Sequence, residues 1–227
     1  MATYLQIYGR LATLFLLFMS MHKVYGQNIS QYNFSLVTEN WTEINALNGA
    51  IFPTRTGTFD EGYYNGTGTG INIGFDFWYM GKAYKTFAVS TNGWMTLDQT
   101  ITNAIPGNES TVSVRPIIAP LWDDLRIQPG VAGLLLAGDV SYRLNGTEGS
   151  RILIVQWRDI EWPSGSTNRI SFQVRLSEAT GSITYSYVRV VGSGPGTGAS
   201  ASIGISGGQN EHYYLNSITT PAVTPTF

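Results

Sequence analysis

The sequence has 227 residues, 13 lysines and arginines against 15 aspartates and glutamates, and a formal net charge of −2. The charges are scattered and form no basic patch, which argues against a nucleic-acid partner, because such a surface must pair with many phosphates. Cysteine is absent, so neither a disulfide framework nor thiol chemistry is available and the fold must rest on packing.

The first 26 residues follow the plan of a secretory signal peptide. Arg10 precedes an apolar core, LATLFLLFMSM, and Val24-Tyr25-Gly26 makes a small-residue exit before Gln27. That core is too short to span a bilayer, although an uncleaved anchor is the alternative. No later segment reads as a membrane span. The expected chain after cleavage is a single domain over residues 27–208, long enough for one substantial core, with residues 209–227 as a tail or the start of a linker. The expected location is secreted or at the cell surface, and the lack of cysteine suits a bacterial envelope. Asn-x-Ser/Thr triplets occur at Asn28, Asn33, Asn40, Asn65, Asn108 and Asn145. They are glycan acceptors in a eukaryotic secretory pathway, and chance products of a chain rich in Asn, Ser and Thr otherwise.

Residues 31–37 read as a first strand, and residues 41–47 as a short strand or one helical turn. A polar, glycine-rich loop follows over 60–70. Ile71, Ile73, Phe75 and Phe77 then alternate with Asn72, Gly74 and Asp76, and a period of two places the four apolar residues on one face of a strand. Residues 84–89 return as its hairpin partner. Asn92-Gly93 tolerates positive φ, so the chain turns there into residues 93–97. Residues 100–111 have no period and read as a loop. The apolar run 114–122 carries Pro116 and Pro120, each lacking a backbone donor, which favours an extended edge segment over a central strand. Residues 133–136 and 139–144 read as short strands. Residues 151–159 make a strong one, with Leu153, Val155 and Trp157 on one face and Ile152 and Ile154 on the other. Phe172, Val174 and Leu176 define the next strand, and Ile183, Tyr185 and Tyr187 the one after. Residues 192–198 make a flexible crossing, and Ala201, Ile203 and Ile205 close the series. About ten short strands with turn signals between them predict an all-β, antiparallel, jelly-roll-like β-sandwich. No internal repeat is present.

The order FDFWYMGKAYKTFAVSTNGWMTL, RPIIAPLWDDL, VSYRLNGTEGSRILIVQWRDIEW, ISFQVRLSEATGSITYSYVRV and ASIGIS resembles the extracellular domain of nidogen-like proteins. It is closer still to a β-sandwich module of secreted and surface proteins of Bacteroidota. The resemblance covers roughly residues 32–206 and rests chiefly on STNGW together with APLWDDL. It implies adhesion, matrix or recognition roles and carries no catalytic residues. It also implies further modules and a C-terminal sorting domain. The sequence ends at Phe227 without them, so it reads as a fragment or as a stand-alone module.

Candidate site residues fall into three groups. Trp162 precedes a proline in the polar loop EWPSGSTN, and Tyr63 and Tyr64 lie in a Gly/Asn loop. These three aromatics are expected to be exposed, at a recognition rim built from end loops, for an extracellular polysaccharide or a surface protein. Trp94, Trp122 and Trp157 sit in apolar strand patterns and are expected in the core. Asp123 and Asp124 are candidate ligands for calcium, with Asp98, Asp139 or backbone carbonyls completing the shell. The alternative is that one caps neighbouring amides while the other faces water. His212 alone cannot make a zinc site, and no serine has a nucleophile-elbow context. Asp159 and Glu161 suggest a glycosidase pair only weakly, being two residues apart. The leading expectation is a recognition or adhesion module without catalysis. A structural spacer or self-assembling unit is the second reading, and a glycoside hydrolase the third.

Overall fold

The computed structural model describes residues 28–38, 41–103, 114–127, 138–161, 169–191, 201–208 and 211–215. Its strands are β1 (Thr56–Gly57), β2 (Gly62–Tyr64), β3 (Ile71–Tyr79), β4 (Lys82–Ser90), β5 (Trp94–Leu97), β6 (Ile117–Trp122), β7 (Arg126–Ile127), β8 (Asp139–Asn145), β9 (Ile152–Glu161), β10 (Arg169–Ser177), β11 (Ile183–Val191), β12 (Ser202–Ser206) and β13 (His212–Tyr214). All pairings between them are antiparallel. One sheet runs β1-β2-β4-β5-β6-β12-β13 with β3 also on β4, and the other runs β11-β10-β9-β7 with β8 also on β9. The predicted all-β sandwich is therefore the observed architecture.

Alternation in sequence becomes alternation in space. Along β3 the odd positions Ile71, Ile73, Phe75, Phe77 and Tyr79 are buried, whereas Asn72, Asp76 and Trp78 are exposed. In the facing sheet Trp157, Val155 and Leu153 of β9 stand opposite Phe172, Val174 and Leu176 of β10, and the Trp157 and Phe172 rings stack at 5.0 Å. Polar tips of core aromatics tie the layers together. Tyr185 Oη donates to the Gly204 carbonyl (2.8 Å), Tyr187 Oη to that of Pro120 (2.5 Å) and Trp157 Nε1 to that of Ser90 (2.8 Å). Each bond satisfies a group that would be costly to bury alone.

The turn between β4 and β5 is polar yet fully buried: Ser90, Thr91 and Asn92 have no exposed surface. Its groups are all spent on the chain around it. Asn92 Oδ1 accepts from Leu125 N (2.9 Å), and the Gly93 carbonyl from Leu121 N (3.3 Å). Thr91 Oγ1 donates to the Asp60 carbonyl (2.6 Å) and accepts from Gly62 N (3.0 Å). A Cβ at Gly93, whose φ is +74°, would lie 1.9 Å from the Leu121 carbonyl oxygen. The STNGW and APLWDDL segments are thus two halves of one hydrogen-bonded knot.

Both outer faces are partly covered. Trp94 and Trp122 pack at 5.7 Å on the outside of the larger sheet, with Ala88, Ile101, Ile117 and Ala119. On the smaller sheet an N-terminal strap crosses β9 and β10. The Gln156 side chain holds Ile44 by both backbone groups, accepting from its N–H (3.0 Å) and donating to its carbonyl (2.8 Å). Gln173 Nε2 donates to the Thr42 carbonyl (2.9 Å) and to Gln156 Oε1 (2.8 Å).

Three expectations need correction. Residues 31–37 are not a strand of either sheet: a 3₁₀ turn at Ile29–Gln31 leads into residues 32–38, which belong to no strand. Residues 117–122 are a central strand, not an edge, with β5 on one side and β12 on the other. Pro120 is tolerated because the pairing with β12 shifts register between Ser202 and Gly204, and β5 pairs only with Ile117 and Ile118. The chain also remains in the sandwich beyond residue 208, through β13. The strand expected at 133–136 and the crossing at 192–198 lie outside the described residues.

The buried turn makes a quantitative prediction. Asn92→Ala leaves the Leu125 amide without its acceptor and is expected to cost about 1–3 kcal/mol. Gly93→Ala combines positive-φ strain with a backbone clash and is expected to cost more than about 3 kcal/mol. Gly149→Ala, at φ +84° with nothing within 4 Å, should cost only about 1 kcal/mol. Urea unfolding of the three variants ranks them, and equal losses at Gly93 and Gly149 would contradict the clash.

Candidate recognition groove

The ladder between β3 and β4 is interrupted. Asn72 pairs with Thr86, but Phe77 pairs with Tyr84, so four residues of β3 oppose one of β4. Gly74, at φ +93°, carries the bulge, and its amide donates to Asn72 Oδ1 (2.7 Å). A Cβ there would lie 2.4 Å from Leu144 Cδ2 of the facing sheet. On β4 the successive amides of Lys85 and Thr86 both donate to Asp98 Oδ1 (2.9 and 3.0 Å).

Where the strands part, a shallow groove of about 470 Å³ opens, lined by Thr69, Asn72, Phe75, Asp76, Lys85 and Thr86, with the backbone of Gly70 and Gly74. Lys85 Nζ stands 3.6 Å from Asp76 Oδ1, and both side chains are more than half exposed. Trp78, one step beyond Asp76 on the same strand face, is 61% exposed. The arrangement offers an aromatic plate, a carboxylate, an ammonium, an amide and hydroxyls on a sheet, which is hydrogen-bond donor and acceptor chemistry.

The bulge is braced from the other sheet. Arg151 Nη1 donates to the Gly74 carbonyl (2.7 Å). The same guanidinium is gripped by Glu178, through Nε–Oε2 (2.8 Å) and Nη2–Oε1 (2.5 Å). Glu178 Oε2 also accepts from the amides of Gly149 and Arg151 (2.9 and 3.0 Å). These bonds, that of the Arg151 side chain foremost, lower the Glu178 carboxyl to about 2 from its ordinary 4.5.

The residues singled out from sequence are dispersed. Tyr64 is 4% exposed, and burial pushes its hydroxyl up to about 12. The expectation that it is exposed is corrected: β2 pairs with β4 and turns Tyr64 into the core. Tyr63 points to the opposite face and packs, half-buried, against the cluster containing Trp94 and Trp122. Trp162 lies outside the described residues. Trp94, Trp122 and Trp157 are buried.

Asp123 is buried and Asp124 exposed, and Asp123 Oδ1 accepts from Asp124 N (2.9 Å). Burial first, then the charges of Asp60 and Asp123, raise the Asp124 carboxyl; burial, then Asp60 and Asp124, raise that of Glu61. Among the described residues no group of three His, Cys, Asp or Glu side chains is placed to hold a metal ion. Asp98 is at the β4 bulge, and Asp139 pairs with Arg158 Nε (2.8 Å). Neither sits with Asp123. Glu161 is buried against Arg126 (Nε–Oε1, 2.6 Å), and Asp159 pairs with Arg158 (3.6 Å). His212 stacks on Tyr214 at 5.6 Å.

Sequence reasoning missed Trp78, although the signal was present. The parity that sends Phe77 inward sends Trp78 outward. The groove itself had no such signal, because a bulge shared by two strands is a property of their pairing.

Glu178 links the groove's brace to pH. Because its folded value lies below its ordinary one, its contribution is complete above about pH 4.5 and is lost as pH falls towards 2. The melting temperature of Glu178→Gln should lie below that of the wild type at pH 6, and the gap should close towards pH 2. A gap constant across that window would refute the assignment.

A family model described as NIDO related matches residues 31–227. No curated protein and no solved structure was found to match the chain.

Proposed function

The chain belongs to the nidogen-related family, and we propose that it is a secreted or cell-surface recognition module that holds a polysaccharide in the β3–β4 groove, without catalysis. Nidogen-related domains are extracellular and generally non-catalytic, and among the described residues no helix is long and apolar enough to cross a membrane. A cysteine-free core suits a bacterial surface.

The observation that carries the reading is Trp78. An indole left 61% exposed near the end of a nine-residue strand has no structural duty on its outer side. Beside a polar groove it supplies the flat apolar face on which a sugar ring stacks, while Asn72, Asp76 and Lys85 meet hydroxyls. Asn72 spends its Oδ1 on Gly74 N, which orients its Nδ2 as a donor. The site lies on a sheet face, and the end loops are a second candidate through Trp162. A protein partner is the competing ligand, since an exposed tryptophan also anchors protein interfaces. The reading assigns no role to calcium, because Asp98 and Asp139, which would complete a shell with Asp123, are engaged by the β4 amides and by Arg158.

A screen of the protein against glycans and matrix proteins separates these readings. Trp78→Ala is expected to weaken polysaccharide binding at least about tenfold, some 1.4 kcal/mol, with an unchanged melting temperature. Trp162→Ala and a calcium chelator should leave binding intact. Full binding by Trp78→Ala, with loss in Trp162→Ala, would transfer the site to the end loops. Binding only to proteins would reject the polysaccharide.

A further inference from the structure

The sequence contains four Asn-Gly pairs, at Asn48, Asn65, Asn92 and Asn145. Such a pair can modify itself, because glycine has no side chain to shield its backbone nitrogen. That nitrogen loses its proton to base and attacks the asparagine Cγ. The new N–Cγ bond closes a succinimide ring, the Cγ–Nδ2 bond breaks, and ammonia leaves after regaining a proton. Water then adds to either ring carbonyl and opens it to aspartate or isoaspartate. The reaction needs an amide that is not held and a glycine N–H that is not donated.

The fold withholds both at three of the four pairs. Asn48 Oδ1 accepts from Asn45 N (2.8 Å), its Nδ2 donates to the Glu43 carbonyl (2.9 Å), and Gly49 N donates to the Ala46 carbonyl (3.4 Å). Asn65 clasps Ile101 by both backbone groups, Nδ2 donating to its carbonyl (2.7 Å) and Oδ1 accepting from its N–H (2.9 Å). Asn92 is fully buried, and its Oδ1 accepts from Leu125 N (2.9 Å). Asn145 has no such hold. Its Oδ1 is buried without a hydrogen-bond partner. Neither its Nδ2 nor Gly146 N is bonded to another described residue. Asn145 is the last residue of β8, in register with Ile152, and the turn beyond it is exposed. That turn keeps the glycine in place: Gly146 has φ +87°, and a Cβ there would lie 2.7 Å from the Ser150 carbonyl oxygen.

We propose that Asn145-Gly146 is a self-modifying site, whose conversion to aspartate or isoaspartate loosens the brace beneath the β3 bulge. Isoaspartate lengthens the backbone by a methylene, which displaces the last rung between β8 and β9. Aspartate places a carboxylate where the buried oxygen finds no donor. Either product strains the same short stretch. On one side of it Leu144 packs against Gly74, and on the other the amides of Gly149 and Arg151 hold Glu178. The inference concerns the chain's own backbone and does not rest on the polysaccharide reading.

The test is a time course of the native protein, prepared without glycans, at neutral and alkaline pH. Peptide mapping reads the amide-to-acid mass gain at each Asn-Gly pair, and isoaspartyl methyltransferase labels the isoaspartate. Asn145 is expected to convert at least about tenfold faster than Asn48, Asn65 or Asn92, because a clasped pair reacts only after local opening. The rate should rise with pH. In urea the four rates should converge, which separates the fold from the flanking sequence. The melting temperature of the aged wild type should fall, and that of Asn145→Ser, which has no amide to lose, should stay constant. Equal native rates at the four pairs, a preference for Asn145 that persists in urea, or an unchanged melting temperature once Asn145 has converted would overturn the proposal.

Discussion

The sandwich is organised around a turn that is polar and dry. Residues 90–93 sit where the β4–β5 connection, the segment around Asp60 and Gly62, the end of β6 and the Trp157 indole of the opposite sheet converge. Water is excluded, so every group must find a partner within the chain, and the partners come from three other stretches of sequence. That makes the turn a check on the whole topology: a register slip in β4 or β6 leaves several buried donors unpaired, at about 1–3 kcal/mol each. A hydrophobic core rewards approximate arrangements, whereas a hydrogen-bonded one accepts few. Gly93 completes the constraint, because the Leu121 carbonyl occupies the space any side chain would need.

How legible this was depends on the range of the signal. Strand parity is local, so β3, β9, β10 and β12 could be read directly, and with them the inward set of Phe75, Trp157, Phe172 and Ile203. The APLW segment misled because two prolines argue against a central strand, yet the pairing opens a bulge at Pro120. Tyr64 misled because a glycine-rich flank suggests a loop, while pairing with Val89 turns its ring inward. In both places the deciding fact is which strand lies alongside, and that information is not local. The Gln156–Ile44 clasp spans 112 residues and left no trace in periodicity.

The groove inherits its rigidity from the same non-local contacts. A bulge on two neighbouring strands would ordinarily loosen a sheet edge. Here Asp98 takes up the two amides freed on β4, and Arg151, held by Glu178, takes up the Gly74 carbonyl on β3. The concavity is thereby preformed, so a ligand need not pay to order it. Shallow polar grooves gain little from burial, and preorganisation is the main source of affinity left to them.

The polar residues that looked chemical in sequence are consumed by architecture. Asp123 turns the chain, Glu161 neutralises Arg126 and Asp159 pairs with Arg158. Among the described residues, Trp78 beside the groove lies outside that architecture. A weak site is useful on a surface when it is repeated. A polymer offers many copies of one epitope, and a surface that displays many modules can meet several of them at once. Each additional contact is then intramolecular, with an effective concentration set by the spacing.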